Sequence, residues 1–346
     1  MNMFTDAIVA IDGSKFKTVN SKHNNYTPNK IKDHIARMEK HIENYLSQLE
    51  TADANDKCDA AQTSVAEKTA WMKNRVAELK ELGERVEAHP DKQLSTVDPD
   101  ARLLKTQSMN RQVCYNVQST VDTKHHLIVT FDVTSTNDRG KLEEMIRLTQ
   151  QVLKQKKLTV LADKGYYSGC DIKATQDMGA SVLVPKSDTS GAKKEGIFNR
   201  ALFKYDSNRD LYVCPAGNEL PCKRDVKEGG MQLKIYLNHI ACRDCKIRAK
   251  CTQSKREPRK IKRWIHEGEM EEMLTRLKNA PDTVIIRKQT VEHPFGRIKM
   301  WMGATHFLTK QLKNVSTEMS LHVLAYNLKR MMSIVGTDSL IKAIRA

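Results

Sequence analysis

Short apolar runs that end in an acidic residue stand out along the chain. Residues 7–11 are apolar and lead into Asp12, and residues 158–162 are mostly apolar and lead into Asp163. Runs of this length, bounded by polar or turn-forming residues, predict buried β-strands. Each of these two strands is therefore expected to carry a carboxylate at its end.

Further strands are predicted between and after these runs. Residues 113–121 alternate between two faces, and residues 127–133 form a second β-type run, with a turn at 122–126 between them. This pattern predicts a hairpin, and residues 181–184 predict one more strand.

Elsewhere the apolar residues recur at spacings of three and four, which is the helical period. In residues 31–49 and 72–86 this spacing predicts two helices packed as an antiparallel hairpin. Further helices are predicted at 138–155, 168–178, 267–277 and 315–334. Leu321, Leu324 and Leu328 form an apolar stripe on the last helix and are expected to be core residues.

The order of these elements predicts an α/β fold. Three strands that can pair antiparallel, followed by alternating helices and strands, suggest a ribonuclease H-like mixed sheet with helices on both faces. A helical-hairpin insertion and a Cys-rich insertion interrupt it. The predicted segments are the first core strands (1–28), the helical hairpin (29–92), the continued core (93–186), a basic Cys-rich insertion with little core (187–263) and C-terminal helices (264–346).

Charge favours a polyanionic partner. The chain has 58 Lys and Arg against 42 Asp and Glu, a net charge of +16, and residues 223–263 carry 14 basic against 4 acidic residues. Nucleic acid is the most common partner of such a basic chain. No apolar run approaches the roughly 18 residues that span a bilayer, and the N-terminus does not resemble a signal peptide. We therefore expect a cytoplasmic protein with no membrane partner.

The basic stretch also holds clustered cysteines. Cys242 and Cys245 have the spacing of a metal knuckle, Cys251 follows, and Cys214 lies upstream. Four thiolates suit a closed, tetrahedral structural zinc site. The alternative is that these cysteines are reduced free thiols. Cys222 is an alternative to Cys214 as the fourth zinc ligand.

The remaining cysteines, Cys58, Cys114 and Cys170, are scattered and are expected to be ordinary small apolar residues. If zinc binds, it would order a segment whose Lys246, Arg248 and Lys250 face DNA phosphates.

The two strand-end acids suggest metal chemistry. Two-metal phosphodiester cleavage needs carboxylates held by rigid elements, and the carboxyl ends of neighbouring strands converge at one edge of an open α/β sheet. Asp12 and Asp163 meet this requirement, although a capping or turn role is the alternative for each. Asp98, Asp100 and Asp122 are alternative candidates for the first carboxylate. Each lies in a predicted turn, and the frequent use of aspartate in turns already accounts for its presence there.

Glu292 is the candidate for a third carboxylate. On a helix it shares a face with Lys299, two turns later, and Arg287, Lys288 and Arg297 surround it. Pro294 and Gly296 are unfavourable inside a helix, so the helix is expected to begin or kink near Glu292. An ordinary solvated helix is the alternative.

Histidines offer weaker candidates. His125 and His126 are expected on a turn at the surface, and His293 either contacts the scissile phosphate or is packed or solvent-exposed.

Several motifs together are more specific than any one of these patterns. They resemble the three catalytic motifs of bacterial insertion-sequence transposases with a DDE domain, and four further segments resemble that family. The catalytic motifs are residues 10–17 (AIDGSKFK), 162–167 (ADKGYY) and 290–296 (TVEHPFG), and the others are 115–118, 125–129, 214–217 and 302–307. The resemblance extends over residues 7–336.

The resemblance implies that Asp12, Asp163 and Glu292 bind Mg²⁺ or Mn²⁺ and catalyse cleavage and strand transfer at element ends, with target DNA as the second partner. Lys299 matches a lysine of the family. Lys288 stands where related families often have arginine. Lys288, Arg297 and Lys299 are expected to contact DNA. Lysine lacks the bidentate fork of arginine, so one end-DNA contact is expected to be weaker.

Three points stay open. Family members usually carry a helical region before the first catalytic strand, and this chain is expected to lack it, because only eleven residues precede Asp12. A nuclease of the same fold and a truncated, non-catalytic DNA-binding remnant are the alternative functions. Whether the chain forms a homodimer on DNA is also open.

Overall fold

The computed structural model describes residues 3–4, 8–53, 59–106, 110–186, 196–254 and 256–345. The strands are β1 (Ile8–Lys17), β2 (Asn25–Tyr26), β3 (Leu94–Ser95), β4 (Arg102–Lys105), β5 (Arg111–Asp122), β6 (Ile128–Thr134), β7 (Thr159–Ala162), β8 (Ser181–Leu183), β9 (Lys204–Asp206), β10 (Leu211–Val213), β11 (Glu219–Glu228), β12 (Met231–Tyr236) and β13 (Ile261–Trp264). The helices are α1 (Pro28–Asp53), α2 (Asp59–Ala88), α3 (Leu142–Leu153), α4 (Gly169–Asp177), α5 (His239–Arg243), α6 (Glu267–Asn279), α7 (Asp282–Gly296), α8 (Leu312–Val335) and α9 (Thr337–Arg345).

The chain divides into two compact units. The first unit contains Met1–Asp12, Ser119–Thr130 and Asp138–Glu292. The second unit contains Gly13–Gln118, Phe131–Asn137 and His293–Ala346. Within the described residues, none of the helices has the length and apolar character needed to cross a membrane.

The larger sheet has mixed strand directions. Its order is β4-β5-β1-β7-β8, with β6 also paired to β5. β7 runs parallel to both β1 and β8, whereas β4 is antiparallel to β5. Backbone hydrogen bonds join Thr18 to Val113 and Thr123 to Ile8, so β5 is antiparallel to β1. The fold is therefore mixed α/β, as predicted, and the strands expected at these positions are confirmed.

Burial explains why β1 and β7 have nearly unbroken apolar sequences. Val9, Ala10 and Ile11 are at most 1% exposed, and Val160 is fully buried. In the first unit they pack in one core with residues of α3, α4, β8 and α6. Parallel strands covered on both faces have no solvent side, so their sequences do not alternate.

The second unit contains the predicted helical hairpin. α1 and α2 share a small core in which Ile31, Leu79 and Val86 are buried with Tyr26. The predicted helices and their packing are confirmed. Residues 54–58, between α1 and α2, lie outside the described residues.

The expectation of little core in residues 187–263 is wrong. Among the described residues of this segment, β9 to β13 form a five-stranded antiparallel sheet in the order β13-β12-β11-β10-β9. It covers a core that includes Phe203, Tyr212, Leu220 and Tyr236. Strands β9, β10 and β13 have only three or four residues, and β11 is rich in charge. The alternation of apolar and polar residues that would predict strands is therefore hard to recognise in this basic segment.

A network around Asp210, in the turn before β10, joins this turn to β9 and β12. The carboxylate accepts hydrogen bonds from Tyr205 Oη at 2.7 Å and Tyr236 Oη at 2.6 Å, and Lys234 Nζ lies 2.8 Å from its other oxygen. These three donors, Lys234 first, lower the pKa of Asp210 to about 2. The charged carboxylate therefore stabilises the sheet.

We expect Asp210→Asn to lower the free energy of unfolding by about 1 kcal/mol at neutral pH, because the partly exposed acceptor loses its charge. A depressed pKa contributes stability above the ordinary value near 3.8 that is lost as pH falls toward 2. Denaturant titrations of both proteins from pH 7 to pH 2 should show the difference shrinking over that window. Asp225→Asn, on exposed β11, is the matched control, and a difference independent of pH would contradict the assignment.

Two expectations for the C-terminal helices are wrong: that α7 begins near Glu292, and that Leu321, Leu324 and Leu328 are core residues. α7 begins at Asp282, ten residues before Glu292, and runs through Pro294 to Gly296. Leu321 and Leu324 on α8 are each 62% exposed, and Leu328 is 39% exposed. The buried face of α8 is instead formed by Val315, Met319, Val323 and Tyr326. Apolar residues occur on more than one face of this helix, and packing decides which face is covered.

Candidate functional site

Two acidic residues lie on adjacent parallel strands in the first unit. Asp163 directly follows β7, as predicted. The expectation that Asp12 ends its strand is wrong, because Asp12 lies within β1, which continues to Lys17. The register pairs Ile11 of β1 with Ala162 of β7, so Asp12 and Asp163 each follow a paired residue. Neighbouring strands lie about 4.8 Å apart. The structure therefore brings these two backbone positions side by side, as the apolar runs predicted.

Asp163 also shapes the backbone that comes after it. Its carboxylate accepts a hydrogen bond from the backbone N–H of Lys164 and caps the 3₁₀ turn Lys164–Tyr166. Capping was the alternative role considered for this residue. One carboxylate oxygen accepting a backbone N–H leaves further lone pairs for a cation.

A third acid, Asp138, lies in the same neighbourhood. Tyr166 is fully buried, and its pKa is raised well above the ordinary value, first by burial and then by the charges of Asp138, Asp12 and Asp163. Gly165 lies so close to Asp138 that an added Cβ would be 3.4 Å from its Oδ2. The sequence analysis did not identify Asp138 as a site residue. It is the first residue of the predicted helix 138–155, and an acid at that position is typical of an ordinary helix cap.

Arg287 on α7 faces this acidic edge. Its Nη1 lies 3.3 Å from Asp12 Oδ2, and the two side chains are 16% and 28% exposed. Arg287 also lines a small cavity together with Asp163, Leu161 and Leu183. The guanidinium of Arg287 therefore forms an ion pair with Asp12, which favours the charged form of this carboxylate.

Glu292 is on the same helix, five residues after Arg287. Its carboxylate is 64% exposed and lies 3.9 Å from the ammonium of Lys288, one turn earlier. Among the described residues, no three His, Cys, Asp or Glu side chains come close enough to hold a metal ion together. The structure thus places Asp12 beside Asp163 and does not gather Glu292 with them into a formed metal site.

Lys299 lies in the second unit and is partly buried. Its ammonium donates to Ser14 Oγ at 2.7 Å and to the Lys15 carbonyl at 2.9 Å, and it lies 4.4 Å from the centre of the Phe16 ring. Burial lowers the pKa of Lys299, and the nearby charge of Lys15 adds to this effect.

Asp98, Asp100 and Asp122, the alternative candidates for a metal-binding carboxylate, all accept hydrogen bonds from neighbouring protein groups. Asp98 accepts hydrogen bonds from Tyr115 Oη and the backbone N–H of Gln311, and Asp100 accepts from the N–H of Leu312. Both therefore hold the N-terminus of α8, where a negative charge is favourable. Asp122 accepts from the N–H of His125 in the β5–β6 turn, which confirms its turn role.

The four candidate zinc ligands line one pocket in the first unit. Cys214, Cys242, Cys245 and Cys251 surround it, with Arg248 and Arg259 among the other lining residues. Cys222 lies on β11 and does not line this pocket. Of the scattered cysteines, Cys114 is buried, Cys170 is exposed, and Cys58 lies outside the described residues.

The charges in this pocket act on each other. Burial raises the pKa of the Cys251 thiol, and the other three pocket cysteines raise it further, while Arg259 lowers it. The Nε of Arg259 is buried and has no hydrogen-bond partner. The pocket therefore offers sulfur ligands next to a buried cationic donor.

The basic candidates near this pocket divide into two groups. Lys246 and Lys250 are exposed. Arg248 is half-buried, lines the cysteine pocket and donates to the carbonyl of Ser254 at 3.4 Å. Two lysines are thus accessible to a phosphate, whereas Arg248 also has a structural contact.

Comparison with known families identifies the chain. The family model described as the transposase DDE domain matches residues 91–328. The chain belongs to the DDE-domain transposase family. The match includes Asp163 and Glu292 of this transposase, whereas Asp12 precedes the matched range. The predicted family membership is confirmed.

One solved structure is also similar. It is the cryo-EM structure of a piggyBac transposase synaptic complex with hairpin DNA, with 11% identity and a TM-score of 0.31. The similarity covers 68% of this transposase and 44% of that chain, so this chain spans less than half of its length. A likeness this distant says nothing about the function of this transposase. No curated protein matches.

Proposed function

We propose that this transposase cuts DNA at the ends of an insertion sequence and joins the freed ends to target DNA. The observation that carries the proposal is the side-by-side placement of Asp12, within β1, and Asp163, at the end of the parallel strand β7, in a chain of the DDE-domain family. The cluster of negative charge around Tyr166 supports it.

The proposed metal ligands are Asp12, Asp163 and Glu292. Carboxylate oxygens are the ligands that Mg²⁺ and Mn²⁺ prefer, and the Arg287 guanidinium beside Asp12 indicates that this edge favours positive charge. A bound metal pair supplies an activated water and stabilises the leaving oxygen. Glu292 is exposed on α7 and does not form a metal-holding group with the two aspartates among the described residues.

The protein residues have separate tasks in this proposal. Asp12 and Asp163 hold their carboxylates on rigid strands, which fixes the reacting phosphate relative to the sheet. Arg287 neutralises Asp12 when no metal is present and afterwards can bind a DNA phosphate, since its fork suits phosphate oxygens. No covalent bond between protein and DNA is required.

The sheet order supports a ribonuclease H-like core. β1 lies between an antiparallel neighbour, β5, and a parallel neighbour, β7, and β8 extends the parallel side. We propose that this sheet is the catalytic scaffold and that the segment holding β9–β13 is an insertion, with domain limits as predicted at 187 and 263.

DNA is the proposed partner. Net charge of +16 and the exposed side chains of Lys288, Arg297, Lys246 and Lys250 support contacts to phosphates. Arg248 and Lys299 belong to the same proposed set, although each already contacts neighbouring protein groups. These contacts act on phosphates and carry no sequence information by themselves.

We also propose a structural zinc ion in the cysteine pocket. The donor set of Cys214, Cys242, Cys245 and Cys251 fits Zn²⁺. The buried Nε of half-buried Arg259 has no hydrogen-bond partner and supplies a donor that thiolates would accept from. As placed, the thiols do not yet form a group that holds an ion. Zinc would draw them together and tie α5 to the sheet.

Strand transfer with matched end DNA tests the function. The chain is incubated with duplex ends from the DNA that flanks its own gene and with a supercoiled target, in Mg²⁺, Mn²⁺ or a chelator. We expect nicks that leave 3′-hydroxyl ends, and joined products only with metal. Cleavage without joining would indicate a nuclease of the same fold. Binding with no cleavage in either metal would indicate a non-catalytic remnant.

A further inference from the structure

A turn of unusual geometry comes after α7 in the second unit. Residues Arg297–Trp301 form a π-helical turn. It leaves Met300 80% exposed and Trp301 78% exposed. Wider π-type turns occur often at functional sites, and adjacent exposed apolar side chains that are surrounded by polar residues can mark a binding site.

Basic side chains surround this exposed tryptophan. Trp301 lines a pocket with Arg297, Lys329 and Arg330, and the Arg297 guanidinium lies 5.9 Å from the centre of the Trp301 ring. In the described part of the chain, the residues lining this pocket include no carboxylate. The pocket therefore combines an aromatic face with several positive charges.

Two residues that line the pocket, His293 and Tyr326, are hydrogen-bonded to each other. His293 Nδ1 and Tyr326 Oη are 2.8 Å apart, and Tyr326 is 4% exposed. Burial raises the pKa of Tyr326 to about 12, while Arg330 and Arg297 oppose this rise, so both cations are close to its ring. The pocket thus combines a buried, hydrogen-bonded tyrosine with three cationic side chains and an exposed aromatic ring.

We propose that this pocket binds one unpaired nucleotide of a DNA strand, with its base on Trp301 and its phosphate against Arg297, Lys329 and Arg330. This inference rests on the proposed function, in which DNA is the substrate. Both faces of a base inside a duplex are covered by its neighbours, so such a base must unpair before it can stack on a tryptophan. The positive charges favour a nucleotide over an apolar protein segment.

Binding of short oligonucleotides in the presence of a chelator tests the pocket without cleavage. The ligands are a labelled single strand, a blunt duplex of the same sequence, and that duplex with a one-nucleotide overhang. We expect Trp301→Ala to weaken binding of the single strand and the overhang by about 5-fold to 150-fold, the range typical of lost base stacking. Affinity for the blunt duplex should change by less than about 2-fold, because phosphate contacts remain.

Trp71→Ala is the matched control, since Trp71 is 62% exposed on α2 and lies outside this pocket. Trp301→Phe keeps an aromatic face and should retain most of the affinity for the single strand. Parent fluorescence should be quenched by the single strand, and Trp301→Phe should remove that quenching even if Trp301→Ala folds poorly.

Equal weakening of all three ligands, or no weakening of any, would overturn the proposal. A change of oligomeric state in Trp301→Ala without DNA would also overturn it and assign the surface to a second copy of the chain. A protein that never cuts DNA can still pass this test, so failure of the pocket and failure of the proposed catalysis are distinguishable.

Discussion

Changing Asp163 to asparagine is expected to reduce Mg²⁺-dependent cleavage of end DNA by at least about 100-fold, because even outer-shell partners of metal ligands alter affinity or activity by about 10- to 100-fold. DNA binding should persist, since phosphate contacts come from basic residues elsewhere. Without metal, binding should become slightly tighter, because one charge that repels phosphate is removed. Gel shifts and cleavage assays on the same DNA measure both effects.

The control for this change is Asp177→Asn. Asp177 is 60% exposed on α4 and pairs with Lys173 at the surface, so its loss should leave both cleavage and binding intact. Binding by parent and both variants should weaken steeply with added salt, since phosphate contacts release counterions. Full cleavage by Asp163→Asn would remove this residue from the mechanism.

Zinc content is the second property with a large expected effect. The purified, reduced chain should contain about one zinc ion, and Cys242→Ser should lose most of it. Structural zinc contributes many kcal/mol to the folding of small domains, so we expect the melting temperature of the variant to fall by roughly 10 °C. Elemental analysis and thermal unfolding, with and without a chelator, check these outcomes.

Cys222→Ser is the matched control for the zinc site, because Cys222 lies on β11 outside the cysteine pocket. It should keep its zinc and nearly all of its stability. If Cys222→Ser loses zinc and Cys214→Ser does not, the ligand set is wrong. If the parent contains no zinc, the pocket holds free thiols.

Part of the site could be predicted from the sequence. An apolar run of about five residues that ends in an acid specifies a buried strand with a carboxylate at its end, because no solvent-facing position interrupts the run. This reasoning placed Asp163 correctly at the end of β7, whereas Asp12 lies within β1, which continues to Lys17 through residues of mixed polarity. The motif around Glu292 marked the family, which the match over residues 91–328 confirms.

The position of Glu292 relative to the aspartates could not be predicted. It is separated from Asp163 by more than 120 residues, and its place depends on how α7 packs. That packing directs Arg287 toward Asp12 and leaves Glu292 at the surface. Asp138 was missed because its importance comes only from its proximity to Tyr166.

By itself, the sequence determined the type and position of the long periodic elements, the acid at the end of β7, and the cysteine spacing, because each depends on residues close together in the chain. Only the tertiary structure decided which face of α8 is buried, that β9–β13 form a sheet, and that Trp301 is exposed beside three cations. Such features depend on which distant segments pack together. Local period and composition contain no information about that choice.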